Sequence, residues 1–289
     1  MTYRETAIQF ACEGETLLAI VSAPPGDQAL AETGIVIVVG GPQYRAGSHR
    51  QFVLLARFLA MTGYLVLRFD YRGMGDSSGR QRDFQDITPD IGASINALQT
   101  HYVGVKKIVL WGLCDGAAAA LMYAQATQDA RLAGLCLLNP WVRSEASLAR
   151  AHLKHYYTQR FLQKAFWQKL LSGKIGLTAL LGLVSNVRKS IKGGTTPQLA
   201  ELSYQERMAQ GWRDFKGQIF LVLSGADLTA KEFLQYCATA PAWHGALTLS
   251  HVARFDLSTA DHTFSDRLAL DQLHTATRDW LSELEGRDH

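Results

Sequence analysis

Three side chains with acyl-transfer chemistry stand along the chain in the order thiol, carboxylate, imidazole: Cys114 in "VLWGLCDGAAAA", Asp227 in "LVLSGADLT" and His262 in "ADHTF". The first stretch reads as a buried strand running into a helix, with Gly112, Cys114 and Gly116 at the junction. A sharp turn there holds a side chain out of the sheet, and the free amides and dipole of a helix N-terminus favour negative charge on it. The same dipole raises the thiolate fraction of a cysteine. His262 is placed to receive the thiol proton, and Asp227 to orient the imidazole and stabilise its charged form. A G-x-C-x-G junction taken alone suits an inert buried cysteine equally well. The two partners give Cys114 its chemical interest.

The elements that must position these groups follow from hydrophobic periodicity. "TAIQF" and "TLLAIVS", separated by "ACEGE", alternate as an antiparallel strand pair. "GIVIVV", "YLVLRFD", "KKIVLWG", "LAGLCLL" and "QIFLVLSG" are short apolar runs suited to strands covered on both faces. Helical spacing separates them: "HRQFVLLARFLAMTG" ends at Gly63, Pro89 opens "DIGASINALQTHY", and a helix begins at Asp115. Thr229 and Glu232 form a capping-box pattern. "ALTLSHVARFDL" reads as the last strand region, and "FSDRLALDQLHTATRDWLSEL" as a closing amphipathic helix. This alternation predicts a mostly parallel sheet flanked by helices. Residues 142–213, with no convincing strand, read as a helical cap insertion within a single domain spanning 1–289.

In such a sheet, reactive groups gather at the carboxyl ends of the strands. "GGPQYR", "DYRGMGDSSG", "GLCDG", "GADLT" and "ADHTF" all fall there. Arg72 and Asp76 read as pins of the "RGMGDS" loop, whereas Arg45, His49 and Arg50 form an exposed helix start that could meet an anionic substrate. Asp256, Asp261 and Asp266 flank His262, but acids so close in sequence more often cap turns than orient a ring. His244, His251 and His274 are weaker candidate bases.

The order nucleophile, acid, histidine on alternating strands and helices resembles the α/β-hydrolase superfamily over nearly the whole chain. "DYRGMGDSSG" is similar to the D-x-R-G-x-G-x-S segment of many such enzymes, and "GLCDG" stands where they carry the G-x-S-x-G elbow. More narrowly, "GGPQYRAGSHRQF" and "WGLCDGAAAAL" resemble the exosortase A system-associated hydrolases of the first subfamily, linked to bacterial protein sorting and exopolysaccharide systems. The nucleophile position holds cysteine, as in dienelactone hydrolases and polyhydroxyalkanoate synthases, so the resemblance implies thiolate chemistry. The oxyanion loop reads Gly40-Gly41-Pro42-Gln43 instead of the usual His-Gly. Because Pro42 has no N–H, the expected donors are the amides of Gln43, or a near neighbour, and Asp115. Gly41 and Tyr44 of this loop, with Phe166 and Trp167 of the insertion, are the expected substrate contacts.

Composition bounds the rest. The chain has 289 residues, 47% hydrophobic and 19% charged, enough for a sizeable core without disulfides. Cys12, Cys114, Cys136 and Cys237 are too scattered for a zinc or redox site, which favours a reducing compartment, and neither metal nor organic cofactor is called for. A polar N-terminus argues against a secretory signal and for a cytoplasmic location. "IGLTALLGLV" is about half the length that spans a bilayer. Net charge is only +3, yet residues 141–192 hold ten basic side chains against Glu145 alone. That basic cap could touch a membrane surface peripherally, although a helical face packed on its own protein explains the same pattern. The basic run carries no nucleic-acid motif, so no nucleic-acid partner is expected. The partner is expected to be a small-molecule or lipid-like acyl substrate, and oligomeric state is left open. The expected activity is hydrolysis of an ester, thioester or related acyl bond through a covalent acyl-enzyme. An acyltransferase with the same nucleophile, or a non-catalytic binding protein with a hydrolase fold, are the alternatives.

Overall fold

A computed structural model describes residues 3–26, 31–41, 43–143 and 202–286. The chain opens with an antiparallel hairpin, β1 (Arg4–Cys12) and β2 (Glu15–Ala23), turned by Glu13 and Gly14, both at positive φ. Next come β3 (Thr33–Val38), α1 (Gln51–Met61), β4 (Leu65–Phe69) and α2 (Thr88–His101), the last with Pro89 in its first turn. Then follow β5 (Lys107–Leu113), α3 (Asp115–Thr127) and β6 (Leu132–Leu138). Residues beyond 202 supply α4 (Tyr204–Asp214), β7 (Gln218–Ser224), α5 (Leu228–Thr239), β8 (Val252–Leu257) and α6 (Arg267–Gly286).

The strands form one eight-stranded sheet in the order β1-β2-β4-β3-β5-β6-β7-β8. β2 runs antiparallel to β1 and β4, and every pairing from β4 through β8 is parallel. β3 and β4 are buried at every residue, as their continuous apolar runs require, whereas the edge strands β1 and β8 are largely exposed. Alternation along β3 sends Val36 and Val38 into a core shared with α2, α3, α4 and α5, and Ile35 and Ile37 into a second core shared with α1 and α6. Each such fully buried aliphatic side chain contributes about 1.5–3 kcal/mol of transfer free energy.

Two expectations need correction. The cap of α5 is Asp227, which accepts from the N–H groups of Thr229 (3.1 Å) and Ala230 (3.2 Å), so Thr229 lies inside the helix. A capping box does occur at Ser203 and Glu206, opening α4. The last strand region is also shorter than "ALTLSHVARFDL". Ala246–Thr248 forms a single 3-10 turn, held because the Trp212 indole donates to the Ala246 carbonyl at 2.9 Å while Trp243 and Ala246 bury in the core, and only Val252–Leu257 pairs with β7.

Two compact units divide the chain: Met1–Val142 with Ser203–His289, and Arg143–Leu202. The second coincides with most of the expected insertion and falls, but for its end residues, outside the described residues. Residues 203–214 belong with the sheet: Gly211 of α4 meets α3 so closely that a Cβ there would lie 2.2 Å from the Leu121 carbonyl oxygen. Among the described residues no helix is long and apolar enough to cross a membrane, and no cluster of three or more His, Cys, Asp or Glu is disposed to hold a metal ion.

Candidate active site

The junction of β5 and α3 is built from backbone pressed against backbone. A Cβ on Gly112 would stand 2.6 Å from the Gly116 carbonyl, and one on Gly116 would stand 2.4 Å from the Val38 carbonyl oxygen. Glycine at both positions lets α3 start directly against β5 and the end of β3, and the buried Ala117–Ala120 continue that close approach. Between the glycines Cys114 takes φ 61° and ψ −122°, a conformation that costs a non-glycine residue about 1–3 kcal/mol. The surroundings hold it there. The Cys114 N–H donates to Leu138 (2.9 Å), while its carbonyl accepts from Ala117 (3.1 Å), Ala118 (3.2 Å) and Trp141 (3.1 Å). Cys114 is half-buried, whereas Cys12, Cys136 and Cys237 are buried. Burial pushes those three thiols upward in pKa, Cys237 to about 12.

Asp227 and His262 come from loops at the ends of β7 and β8, adjacent parallel strands. The loops are stitched together by the Gly225 N–H donating to Leu257 (2.8 Å) and the Ala226 N–H donating to Ala260 (3.0 Å). His262 Nδ1 lies 2.8 Å from Asp227 Oδ2. A carboxylate only accepts, so Nδ1 carries the proton and Nε2 is the nitrogen open to proton exchange. Burial alone would raise the Asp227 pKa, but the His262 hydrogen bond and charge together with the Thr229 and Ala230 amides prevail and hold the carboxyl below its ordinary value. The rival acids are occupied locally: Asp256 with Arg254, Asp261 with Thr263 and Ser265, and Asp266 with the first amides of α6. Among the other histidines, His251 Nε2 lies 3.3 Å from the Trp212 carbonyl and His274 is buried in α6 against Phe58.

The loop after β3 is pinned by charge. Asp70 accepts from the Arg45 N–H (2.7 Å) and the Asp76 N–H (3.0 Å), and the Arg45 guanidinium pairs with both Asp70 and Asp76. Arg45 thus ties the "GGPQYR" loop to the "DYRGMGDSSG" loop. Asp70 is pressed against Gly75, where a Cβ would fall 2.2 Å from its Oδ2. Arg72 is buried and clasped by Asp90 through its backbone N–H (2.8 Å), Nε (3.0 Å) and Nη2 (2.8 Å).

Gln43, the expected oxyanion donor unless a near neighbour serves, is engaged within its own loop. Its N–H donates to the Gly41 carbonyl (2.8 Å), and its Oε1 accepts from the Ser48 N–H (2.9 Å) and hydroxyl (3.2 Å). The Gly41, Asp115 and Gly116 amides act on the Asp115 carboxyl and partly offset the rise that burial gives its pKa. Gly41 has φ 66° and open space where a side chain would stand, and Tyr44 is exposed with the Arg45 guanidinium 5.8 Å from its ring centre. Phe166 and Trp167 lie outside the described residues.

Two contributions have little signal in the sequence. Asn139, at φ 44° and fully buried, exchanges hydrogen bonds with Ser224, donating to its hydroxyl (2.9 Å) and accepting from its N–H (2.9 Å), and so locks the end of β6 to the end of β7. The Asp115 carboxyl, as distinct from its amide, is packed against Gly40.

This sheet order, with a strained residue between β5 and α3 and an acid–histidine pair after β7 and β8, defines an α/β-hydrolase fold. Residues 32–194, more than half of the chain, match the serine aminopeptidase S33 family, and the protein belongs to that family of α/β-type hydrolases. Human ABHD12B is 31% identical over 116 residues, a stretch covering 38% of this chain and 31% of that protein. Among solved structures, the Pyrococcus furiosus esterase Pf2001 superposes with a TM-score of 0.62 at 16% identity, over 97% of this chain and 93% of the esterase. Est1E from Butyrivibrio proteoclasticus, solved with ferulic acid, gives 0.62 at 13% identity, over 96% and 99% of the two chains. A Xanthomonas campestris α/β serine hydrolase described as having no lid gives 0.57 at 15% identity, over 97% and 94%. The family is described as serine aminopeptidases, whereas the strained residue between β5 and α3 of this chain is Cys114.

Proposed function

We propose that the protein is a cysteine-dependent esterase or thioesterase that works through a Cys114 acyl-enzyme. The observation that carries the reading is the Cys114 backbone, at φ 61° and ψ −122°, which presents a half-buried thiol at the first turn of α3. His262 Nε2 takes the thiol proton while Nδ1–H donates to Asp227, whose carboxylate stabilises the imidazolium that results. The thiolate attacks the acyl carbon, and the carbonyl π pair moves onto oxygen, which the amides of Asp115 and Gly41 receive. Collapse of that oxyanion expels the alkoxide or thiolate leaving group, protonated by His262, and leaves a thioester on Cys114. Water, activated by the same imidazole, returns the enzyme and releases the acid. The esterases among the structural relatives support an acyl-ester substrate class. The "GGPQYRAGSHRQF" and "WGLCDGAAAAL" motifs support a setting beside an exosortase and exopolysaccharide system.

Intact-mass spectrometry tests this reading after brief mixing with p-nitrophenyl acetate or an acyl thioester. Wild-type protein gains one acyl group at Cys114, Cys114→Ala gains none, and His262→Ala gains it far more slowly. Adding alcohol, amine or thiol acceptors separates hydrolysis from acyl transfer by product. Ester turnover that persists in Cys114→Ala overturns the proposal.

A further inference from the structure

The mechanism uses the amide of Asp115 and leaves its carboxyl without a part. That carboxyl lies against the loop after β3, whose Gly41 amide the proposed mechanism uses. A Cβ on Gly40 would lie 2.2 Å from Asp115 Oδ1 and 2.6 Å from the Gly116 nitrogen, so the carboxyl fills the space beside the loop after β3 that a side chain at position 40 would take. The backbone amides of Gly41, Asp115 and Gly116 surround it. Oδ1 itself is buried without a hydrogen-bond partner. The titratable groups that sense this carboxyl are Asp83 ahead of α2, Tyr71 after β4 and Tyr204 at the start of α4, and Cys114 adjoins it; none is a cation. Burial pushes the Asp115 carboxyl above its ordinary value, Asp83 adds to the shift, and the three amides only partly offset it.

We propose that the Asp115 carboxylate is a resident anion of the oxyanion crevice, standing at the Gly41 and Asp115 amides in the resting protein and restraining acyl transfer until it is neutralised or turns away. The proposal rests on Cys114 as nucleophile. An oxyanion developing on a bound acyl group needs the same donors, and two anions cannot share them in a water-poor crevice. Asp115 is therefore a positioning residue of negative sign. It holds the elbow in a restrained state while ionised, and a proton or a substrate that moves the side chain releases it.

Side-chain variants leave the Asp115 amide in place, so Asp115→Asn and Asp115→Ala isolate the carboxyl. Two reactions of Cys114 are compared from about pH 5 to about pH 9: acylation by p-nitrophenyl acetate and alkylation by iodoacetamide. Alkylation is displacement at a tetrahedral carbon and develops no oxyanion, so it reports the thiolate alone. The ratio of the two rates reports the oxyanion crevice. At about pH 8 the ratio is expected to rise about tenfold in both variants, a fraction of the 10²–10³ typical of one oxyanion donor. The gain shrinks as pH falls and the wild-type carboxyl takes up its proton. A ratio that is unchanged or lower in Asp115→Asn, with alkylation of Cys114 intact, overturns the proposal while leaving the nucleophile in place. Ester turnover that survives Cys114→Ala overturns the underlying mechanism instead, and this proposal with it.

Discussion

His274 provides a quantitative check on the core beneath the site. It sits in α6 at 6% exposure, stacked on Phe58 of α1 with ring centroids 5.1 Å apart and an interplanar angle of 27°. Its Nε2 is buried without a partner. Burial holds the ring neutral and lowers its pKa from 6.5 to about 4, against a small opposing pull from Asp271. Between those values the unfolded chain binds a proton that the folded protein refuses, so this contribution to stability is complete above about pH 6.5 and drains away as pH falls toward 4. A shift from 6.5 to about 4 at 1.36 kcal/mol per unit is worth about 3 kcal/mol in full, and about 2.5 kcal/mol at pH 4.5. His274→Phe keeps a flat ring over Phe58 and removes the titration. Urea denaturation at pH 7.5 is expected to separate the two proteins by less than about 1.5 kcal/mol, the usual span for a volume-conserving core change. At pH 4.5 the variant should have gained about 2–3 kcal/mol on wild type relative to that baseline. Acid loss from shared carboxylates cancels in the comparison. A difference between the proteins that does not change with pH would show that His274 is not held neutral by burial, and would refute the reasoning.

Other perturbations follow from the same contacts. Gly116→Ala places a methyl 2.4 Å from the Val38 carbonyl oxygen, so α3 must shift away from β3; thermal melting is expected to show a loss of about 1–3 kcal/mol, with acyl transfer falling further than stability does. Asp90→Asn leaves the buried Arg72 guanidinium without its principal counter-ion, and urea denaturation should register about 3–5 kcal/mol, whereas the same change at exposed Asp256 should move stability by no more than about 1 kcal/mol.

The fold was legible in the sequence wherever burial on both faces forces an uninterrupted apolar run, as in "GIVIVV" and "YLVLRFD", and wherever a turn requires glycine, as around Cys114. It was less legible where tertiary contact decides. "ALTLS" has strand composition, yet Trp212 captures the Ala246 carbonyl and a 3-10 turn results. Thr229 and Glu232 have the right spacing for a capping box, yet Asp227 stands nearer the helix start and caps it while also meeting His262. The pairing of acid and histidine could be expected from their places after successive strands, because parallel strands deliver their following loops to one edge of the sheet. The course of the loop after β3 could not. Gln43 spends its N–H on Gly41, and no residue type in that loop announces this. The carboxyl of Asp115 escaped for a related reason: an acid at the first turn of a helix is ordinary, and only its contact with Gly40 sets it apart.

The measurement that bears most directly on the central claim is the pH dependence of Cys114 alkylation by iodoacetamide, read by peptide mass spectrometry in wild type and in His262→Ala. The buried Cys12, Cys136 and Cys237 serve as internal references in the same digest. Labelling should concentrate at Cys114, persist well below pH 8, and weaken there when His262 is removed. A Cys114 that resists labelling, or that titrates as a free thiol whether or not His262 is present, would contradict the account.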